Sequence, residues 1–191
     1  MGSDLAQRSM MEGDPRHSGQ PENMDVAPPP RDSPMLAASV RPIDLALVHH
    51  PVLGRDGTIV TSAVTTIDVH DLSRSARTYG VRTLYLTTPI EAQRVLVQRI
   101  LSHWTEGSSA RRIPSRSEAL ACVQLAADLP AIIARLGGRA NVEIWVTAAR
   151  ADAGGAPMLT YPQARRRLRA NDGRSVLVLF GTSWGLAPSI I

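Results

Sequence analysis

The chain has 191 residues, 43% of them apolar and 20% charged, which is enough apolar surface for one sizeable core. No apolar run approaches the roughly 18 residues that a membrane-spanning helix needs. The first residues, with Asp4, Glu12 and Asp14, are unlike a signal peptide. We therefore expect a cytoplasmic protein with no membrane partner. The single cysteine, Cys122, excludes an internal disulfide and is expected to be a small core residue.

The charge is distributed unevenly along the chain. All 21 basic residues are arginine; residues 1–40 hold three arginines and six acids, and residues 41–191 hold 18 arginines and 11 acids, a net charge of +7. A basic domain of this kind attracts polyanions such as nucleic acids. Arginine also keeps ordinary surface helices in solution, so the charge alone does not distinguish a nucleic-acid partner from an ordinary solvated surface.

Residues 1–40 contain six prolines, including the run "APPPRDSP", and neither aromatic residues nor hydrophobic periodicity. Such a segment cannot bury enough apolar surface to offset the entropy lost on ordering. We expect a disordered, proline-rich tail over residues 1–40 and a folded domain over residues 41–191.

From Arg41 onward, short apolar runs alternate with amphipathic stretches, which is typical of an α/β domain. The runs are almost continuously apolar, as strands buried on both faces of a parallel sheet are. The pattern predicts a doubly wound, mostly parallel sheet. Its expected strands cover residues 43–50, 82–89, 142–149 and 175–180, with a weaker candidate at residues 121–127.

The helices have recognisable ends. Asp68 or Asp71 is expected to cap a first helix that Gly80 ends. Its core-facing stripe is expected to contain Leu72, Ala76 and Tyr79.

Three further helices follow in the sequence. Thr88 as the N-cap and Glu91 as its capping-box partner predict a helix that continues to about Trp104. Asp128 is expected to cap "LPAIIARLGG", and "TYPQARRRLRAN" is the last full helix. The "ARRRLR" run within it is either a solvated helix face or an RNA contact.

The stretch "FGTSWGL", residues 180–186, is a glycine turn after the last strand, at the end of a parallel sheet where ligands bind. It lacks the Lys-Ser/Thr pair of a phosphate loop and the three-glycine spacing of a dinucleotide fingerprint. Gly181 and Gly185 either only permit a tight turn or admit a ligand close to the backbone. Trp184 either packs beneath the following element or lines the ligand pocket.

The stretch "DVHDLSRSARTYGV", residues 68–81, is the second candidate site. Arg74 points away from the expected core stripe and is either a solvated arginine or part of a site. His49, His50 and His70 share no spacing with a carboxylate or cysteine, so no metal site is predicted. His70 is either a polar residue at a helix start or part of a site.

Together and in this order, the two stretches resemble the two sequence motifs of the SPOUT RNA methyltransferases. The first motif is "DVHDLSRSARTYGV" followed by "RTLYLTTP", and the second is "LVLFGTSWGL". The chain is most similar to a bacterial subgroup related to the tRNA guanine-N1 methyltransferases. Further resemblance lies in "LVHHPVLGRDGTIVTSAVTTIDVHDLSRSARTYGV" and "TPIEAQRVLVQRILSHW", and the match covers about residues 43–187.

The resemblance implies an enzyme that methylates tRNA or rRNA with S-adenosylmethionine as its cofactor, in a fold whose C-terminal segment forms a trefoil knot. Arg74 matches the motif arginine that acts at the RNA phosphate or the methyl-transfer centre, and Asp68 matches the acidic or amide position before it. The residues that correspond to the cofactor-binding loops are Thr147, Ala148, Gly181, Thr182, Ser183, Trp184, Gly185 and Leu186.

Full-length members of the resembled family continue beyond this turn and are expected to form homodimers. We expect the chain ending at Ile191 to be incomplete at its C-terminus, to bind S-adenosylmethionine weakly or not at all, and to lack a dependable dimer interface. The competing hypothesis is a non-catalytic RNA-binding or interaction module that retains the sheet.

Overall fold

A computed structural model describes residues 40–106, 108–149, 157–170 and 172–190. The predicted proline-rich tail lies outside the described residues except for Val40. Within the described ranges, no helix is long and apolar enough to cross a membrane.

The centre of the domain is a five-stranded sheet in which every neighbouring pair is parallel. In chain order the strands are β1 (Ile43–Val48), β2 (Val52–Leu53), β3 (Ile59–Val60), β4 (Thr83–Thr87), β5 (Val123–Ala126), β6 (Val142–Val146) and β7 (Ser175–Gly181). The large sheet has the order β5-β4-β1-β7-β6, and β2 and β3 form a separate antiparallel hairpin. All five strands predicted from the sequence are confirmed, and only the hairpin was missed.

Six α-helices are described. They are α1 (Thr66–Thr78), α2 (Glu91–Thr105), α3 (Ser108–Arg112), α4 (Pro114–Leu120), α5 (Leu129–Arg135) and α6 (Tyr161–Arg169), and a 3₁₀ turn covers Arg139–Asn141. The hydroxyl of Thr160 caps α6, and Asp128 caps α5 through a 2.8 Å bond from the Ala131 amide, as predicted for Asp128.

Each face of the sheet has its own apolar core, because successive strand residues point to opposite faces. One face buries Ala46, Val48 and Leu179 together with Ile132 of α5. The other buries Leu47 and Leu86 together with residues of the opposite helices, namely Val69, Ala76, Val97, Leu101 and Leu120. The predicted doubly wound sheet is therefore confirmed. Cys122 is half-buried beside this second core, and burial raises the pKa of its thiol.

The predicted cap of α1 was wrong. Thr65 is the N-cap: its hydroxyl accepts the Asp68 amide at 3.2 Å, and the Asp68 carboxylate accepts the Thr65 amide at 2.8 Å. Asp68 is thus the capping-box partner, and Asp71 lies one turn inside the helix. Tyr79, predicted to face the core, is 83% exposed because the helix ends at Thr78.

The predicted cap of α2 was also wrong. The N-cap is Ile90, which makes no side-chain cap bond, and the Thr88 hydroxyl lies 3.2 Å from the amide oxygen of Gln93 instead. Glu91 pairs with Arg94 rather than closing a capping box. The helix nevertheless runs to Thr105, close to the predicted end.

Candidate functional site

The carboxyl ends of β6 and β7 bring two of the predicted cofactor segments together. Thr147 follows β6, and both its amide and its hydroxyl donate to Leu179 O of β7, at 3.0 and 2.9 Å. Thr147 and Ala148 are exposed beside residues 181–186, which form the glycine turn. The edge of a parallel sheet therefore carries the two segments side by side, as expected for adjacent strands.

Gly181 is required at the start of the glycine turn because the chain folds back onto it. A Cβ at this position would lie 2.6 Å from Leu186 N and 2.9 Å from the Gly185 carbonyl carbon, so no side chain fits. Ser183 and Gly185 of the same turn have left-handed backbone conformations, with φ 56° and φ 112°. A Cβ at Gly185 would meet nothing within 4 Å, so space remains open at that backbone position.

Most amides of the glycine turn are used within the protein. Those of Thr182, Trp184 and Gly185 donate to backbone oxygens at 3.3, 3.0 and 3.0 Å. Among the described residues, the amides of Ser183 and Leu186 have no backbone acceptor. Leu186 is buried and its amide lies against Gly181, so among the described amides without a backbone acceptor the exposed Ser183 amide is the one that the turn offers to a ligand, beside Trp184, which is 60% exposed.

The β2–β3 hairpin holds the glycine turn in place. Leu53 N–H donates to Gly185 O at 2.9 Å, and Ala187 N–H donates to Pro51 O at 3.2 Å. Val52 and Leu186 form a bridge between these bonds, and both are buried. The "GRDG" sequence between the two short strands is a turn signal that could have predicted this hairpin.

A chain of hydrogen bonds joins His49 to the glycine turn. The Thr182 hydroxyl lies 3.1 Å from Val48 O and 2.5 Å from Ser62 Oγ. Ser62 Oγ in turn lies 2.9 Å from His49 Nδ1 and 3.5 Å from His49 O. The direction of the bonds within this chain depends on the tautomer of His49.

His49 is fully buried, and in the described part of the chain its Nε2 has no hydrogen-bond partner. Burial lowers the pKa of His49, while the nearby Asp68 carboxylate opposes that change. The sequence marked His49 only as the residue that ends a strand. Its connection to Ser62 and Thr182 joins residues far apart in the sequence and could not have been predicted from spacing.

Asp68 and Arg74 are both on α1 but not on one face of it. Six residues of an α-helix separate them by about 9 Å along the axis and about 120° around it. Asp68 lies in the first turn, close to the carboxyl edge, and its Oδ1 has no hydrogen-bond partner among the described residues. Arg74 is exposed, and its guanidinium pairs with no described carboxylate. The structure brings Asp68, but not Arg74, near His49.

The remaining histidines form no metal site: within the described ranges, no group of three or more histidine, cysteine, aspartate or glutamate residues could hold a metal ion. His50 Nδ1 lies 2.9 Å from the Thr61 hydroxyl. His70 packs edge-on against Trp104, with ring centroids 5.9 Å apart, and burial and the charge of Arg116 lower its pKa. The Arg116 guanidinium lies over the same indole, 4.5 Å from its centroid.

Comparison with known proteins gives one family and several relatives. A family model described as SAM-dependent RNA methyltransferase matches residues 42–191. Proteins named tRNA (guanine-N(1)-)-methyltransferase from Nitratidesulfovibrio vulgaris and Oleidesulfovibrio alaskensis are 38% and 37% identical over 146 residues. Each match covers 76% of this chain and 33% of the relative.

An uncharacterized protein from Aquifex aeolicus is 31% identical over 156 residues, which is 77% of this chain and 71% of that protein. The chain thus spans about a third of the length of the two named relatives. The family model covers far more than half of the chain, including both motifs and the glycine turn. The chain therefore belongs to the family of SAM-dependent RNA methyltransferases.

Proposed function

We propose that this chain transfers a methyl group from S-adenosylmethionine to RNA, at the carboxyl edge of its sheet. The observation that carries the proposal is that Thr147 and Ala148 lie beside the glycine turn in a member of this family. The RNA is a tRNA or an rRNA; the names of the two relatives support tRNA, and the family description supports RNA in general. Such a substrate places the protein in the cytoplasm.

The carboxyl edge fits S-adenosylmethionine at three points. Gly185 leaves space beside its backbone, the exposed Ser183 has an amide with no backbone acceptor among the described residues, and Trp184 is 60% exposed. An amide and a ring of this kind suit the hydrogen-bonding edge and flat face of adenine. When bound, S-adenosylmethionine supplies an electrophilic methyl group on a positively charged sulfur.

The residues of α1 supply electrostatics and orientation. Arg74, exposed and unpaired with any described carboxylate, is placed to attract an RNA phosphate, an interaction in which arginine is effective because its guanidinium is planar and always charged. One carboxylate oxygen of Asp68 accepts the Thr65 amide. The other has no hydrogen-bond partner among the described residues and can accept a proton. If the accepting atom of the RNA carries a proton, this carboxylate is the proton acceptor that the structure offers near His49. The hydrogen-bond chain from the buried His49 through the half-buried Ser62 and Thr182 holds the glycine turn against β1.

Calorimetric titration with S-adenosylmethionine separates this proposal from its competitor, a non-catalytic RNA-binding module. The sequence alone led us to expect weak or absent binding of S-adenosylmethionine, whereas the proposal predicts measurable binding by the wild-type chain. That binding should weaken when Gly185→Val fills the open backbone position. Gly57→Val is the matched control, since Gly57 is also left-handed, with φ 81°, and has open space but lies in the hairpin turn. Binding of RNA without any binding of S-adenosylmethionine would favour the non-catalytic module.

A further inference from the structure

Helix α6 is unusually basic for a surface helix. It contains four arginines and no acid, and none of its residues is buried. Arg167 pairs with Glu143 at 3.0 Å, whereas Arg165, Arg166 and Arg169 are exposed and pair with no carboxylate among the described residues. The helix dipole favours cations in a last turn. Arg165 and Arg169 nevertheless repel each other one turn apart, so local helix stability does not account for the cluster.

The strands of the large sheet also begin beside arginines. Four of the five parallel strands follow an arginine by one to three residues, and the arginines are Arg41, Arg82, Arg139 and Arg174. Parallel strands start at a common edge, so these side chains belong to the edge opposite the glycine turn. A cavity of about 370 Å³ lies at this edge and is lined by Arg82, Arg135 and Asn141.

The acids at this edge are already engaged. Asp44 is fully buried and accepts two bonds from Arg82, one of them 3.0 Å long. The Glu143 carboxylate accepts a hydrogen bond from the buried Arg41 at 2.5 Å. Burial of Glu143 opposes its ionisation, but hydrogen bonds from Trp145 and Arg41 lower the pKa of Glu143 overall. The third acid, Asp172, pairs with Arg174 at 2.6 Å. The excess positive charge therefore faces solvent.

We call nine residues together the arginine edge. They are Arg41, Arg82, Arg139 and Arg174 before the strand starts, Arg135 of α5, and Arg165, Arg166, Arg167 and Arg169 of α6. It holds nine of the 18 arginines of residues 41–191 but only three of the 11 acids, namely Asp44, Glu143 and Asp172. The rest of residues 41–191 holds nine arginines and eight acids. Nearly all of the domain's net charge of +7 is thus concentrated at one edge of the sheet.

We propose that the arginine edge binds the sugar-phosphate backbone of RNA, as a surface separate from the methyl-transfer site. The inference rests on the proposed function, which makes RNA the partner. Strands β1 and β7 have six and seven residues, so the two edges are about 20 Å apart. An RNA bound to both must extend across the domain. Charge rather than base identity governs this contact, so it is independent of sequence and sensitive to salt.

Fluorescence anisotropy with a labelled tRNA transcript tests the inference. The test variant replaces Arg165, Arg166 and Arg169 by glutamine, which is a good helix former. The control variant removes the same charge at three exposed arginines outside the edge, by R55Q, R99Q and R111Q. Loss of about three phosphate contacts is expected to weaken binding at least tenfold at about 0.1 M salt. The slope of log affinity against log salt should decrease by about two to three, and the control should change the affinity much less.

Equal losses of RNA affinity in the two triple variants would show a general effect of net charge and would overturn the inference. An unchanged RNA affinity of the α6 variant would overturn it too. Failure of the wild-type chain to bind the transcript would overturn it as well. Methyl incorporation by the wild-type chain is measured separately. Salt-dependent RNA binding at the edge without methyl transfer would contradict the proposed function while leaving the RNA-binding surface in place.

Discussion

Gly181→Ala is the substitution whose effect follows most directly from the geometry. The added Cβ would lie 2.6 Å from Leu186 N, 2.9 Å from the Gly185 carbonyl carbon and 2.9 Å from Leu186 Cγ. Two of these three atoms belong to the backbone, and the β2–β3 hairpin holds that backbone through Leu53 and Pro51. Overpacking that cannot relax costs about 1–3 kcal/mol, and the backbone contacts favour the upper end of that range.

Urea and thermal unfolding measure this cost. For a domain of this size, each kcal/mol lowers the Tm by about 2–4 °C, so the variant is expected to unfold about 4–12 °C below the wild type. The Leu186→Ala change removes only the contact to Cγ and leaves both backbone contacts, so most of the cost of Gly181→Ala should remain when it is measured in a Leu186→Ala background. Wild-type stability of Gly181→Ala, or rescue by Leu186→Ala, would refute the reasoning.

Three further predictions concern α1, the buried histidine and the buried arginine. Arg74→Ala should lower methyl transfer by roughly 100- to 1,000-fold and change the free energy of unfolding by less than about 0.5 kcal/mol, as measured by methyl incorporation and urea unfolding. His49→Asn should flatten the decrease in stability as the pH falls below about 6.5, because burial holds the pKa of His49 below its ordinary value and the unfolded chain takes up the proton first, with a slope of at most about 1.4 kcal/mol per pH unit. Glu143→Ala should destabilise the fold by about 3 kcal/mol in urea unfolding, since it removes a carboxylate partner of the buried Arg41.

Each of these variants has a comparison that can contradict its prediction. Arg77→Ala removes another exposed arginine of α1 and should leave methyl transfer nearly unchanged; equal losses in the two arginine variants would refute a specific role for Arg74. An unchanged pH dependence in His49→Asn would show that His49 is not the group that takes up the proton. A cost below about 1 kcal/mol for Glu143→Ala would show that Asp172, 3.4 Å from Arg41, compensates for the loss.

The sheet could be predicted from the sequence because the burial of a strand determines which of its residues are apolar. Strands covered on both faces are almost continuously apolar, and Ala46, Val48 and Leu179 are fully buried as that pattern requires. The helix starts were less predictable. Thr65 and Thr88 each precede an acidic residue by three positions, but only Thr65 closes a capping box, with Asp68. The Thr88 hydroxyl instead lies against the amide oxygen of Gln93, which also accepts the amide of Val64.

The candidate site could be predicted only where it lies within one segment. "FGTSWGL" contained the glycine turn, whereas Thr147 was predicted from the family resemblance. The chain from His49 through Ser62 to Thr182 joins three elements and leaves no periodic signal. The arginine edge also arises from the fold, because residues from Arg41 to Arg174 become neighbours only when parallel strands align their starting ends.

Transfer of a tritiated methyl group from S-adenosylmethionine to RNA tests the central claim most directly. The folded chain, incubated with bulk tRNA and in a separate reaction with rRNA, should incorporate label into one of them. Incorporation should fall roughly 100- to 1,000-fold in Arg74→Ala, as expected when the phosphate contact that orients the RNA for methyl transfer is lost. Absence of label from both RNAs, with a protein shown by its cooperative unfolding to be folded, would contradict the account.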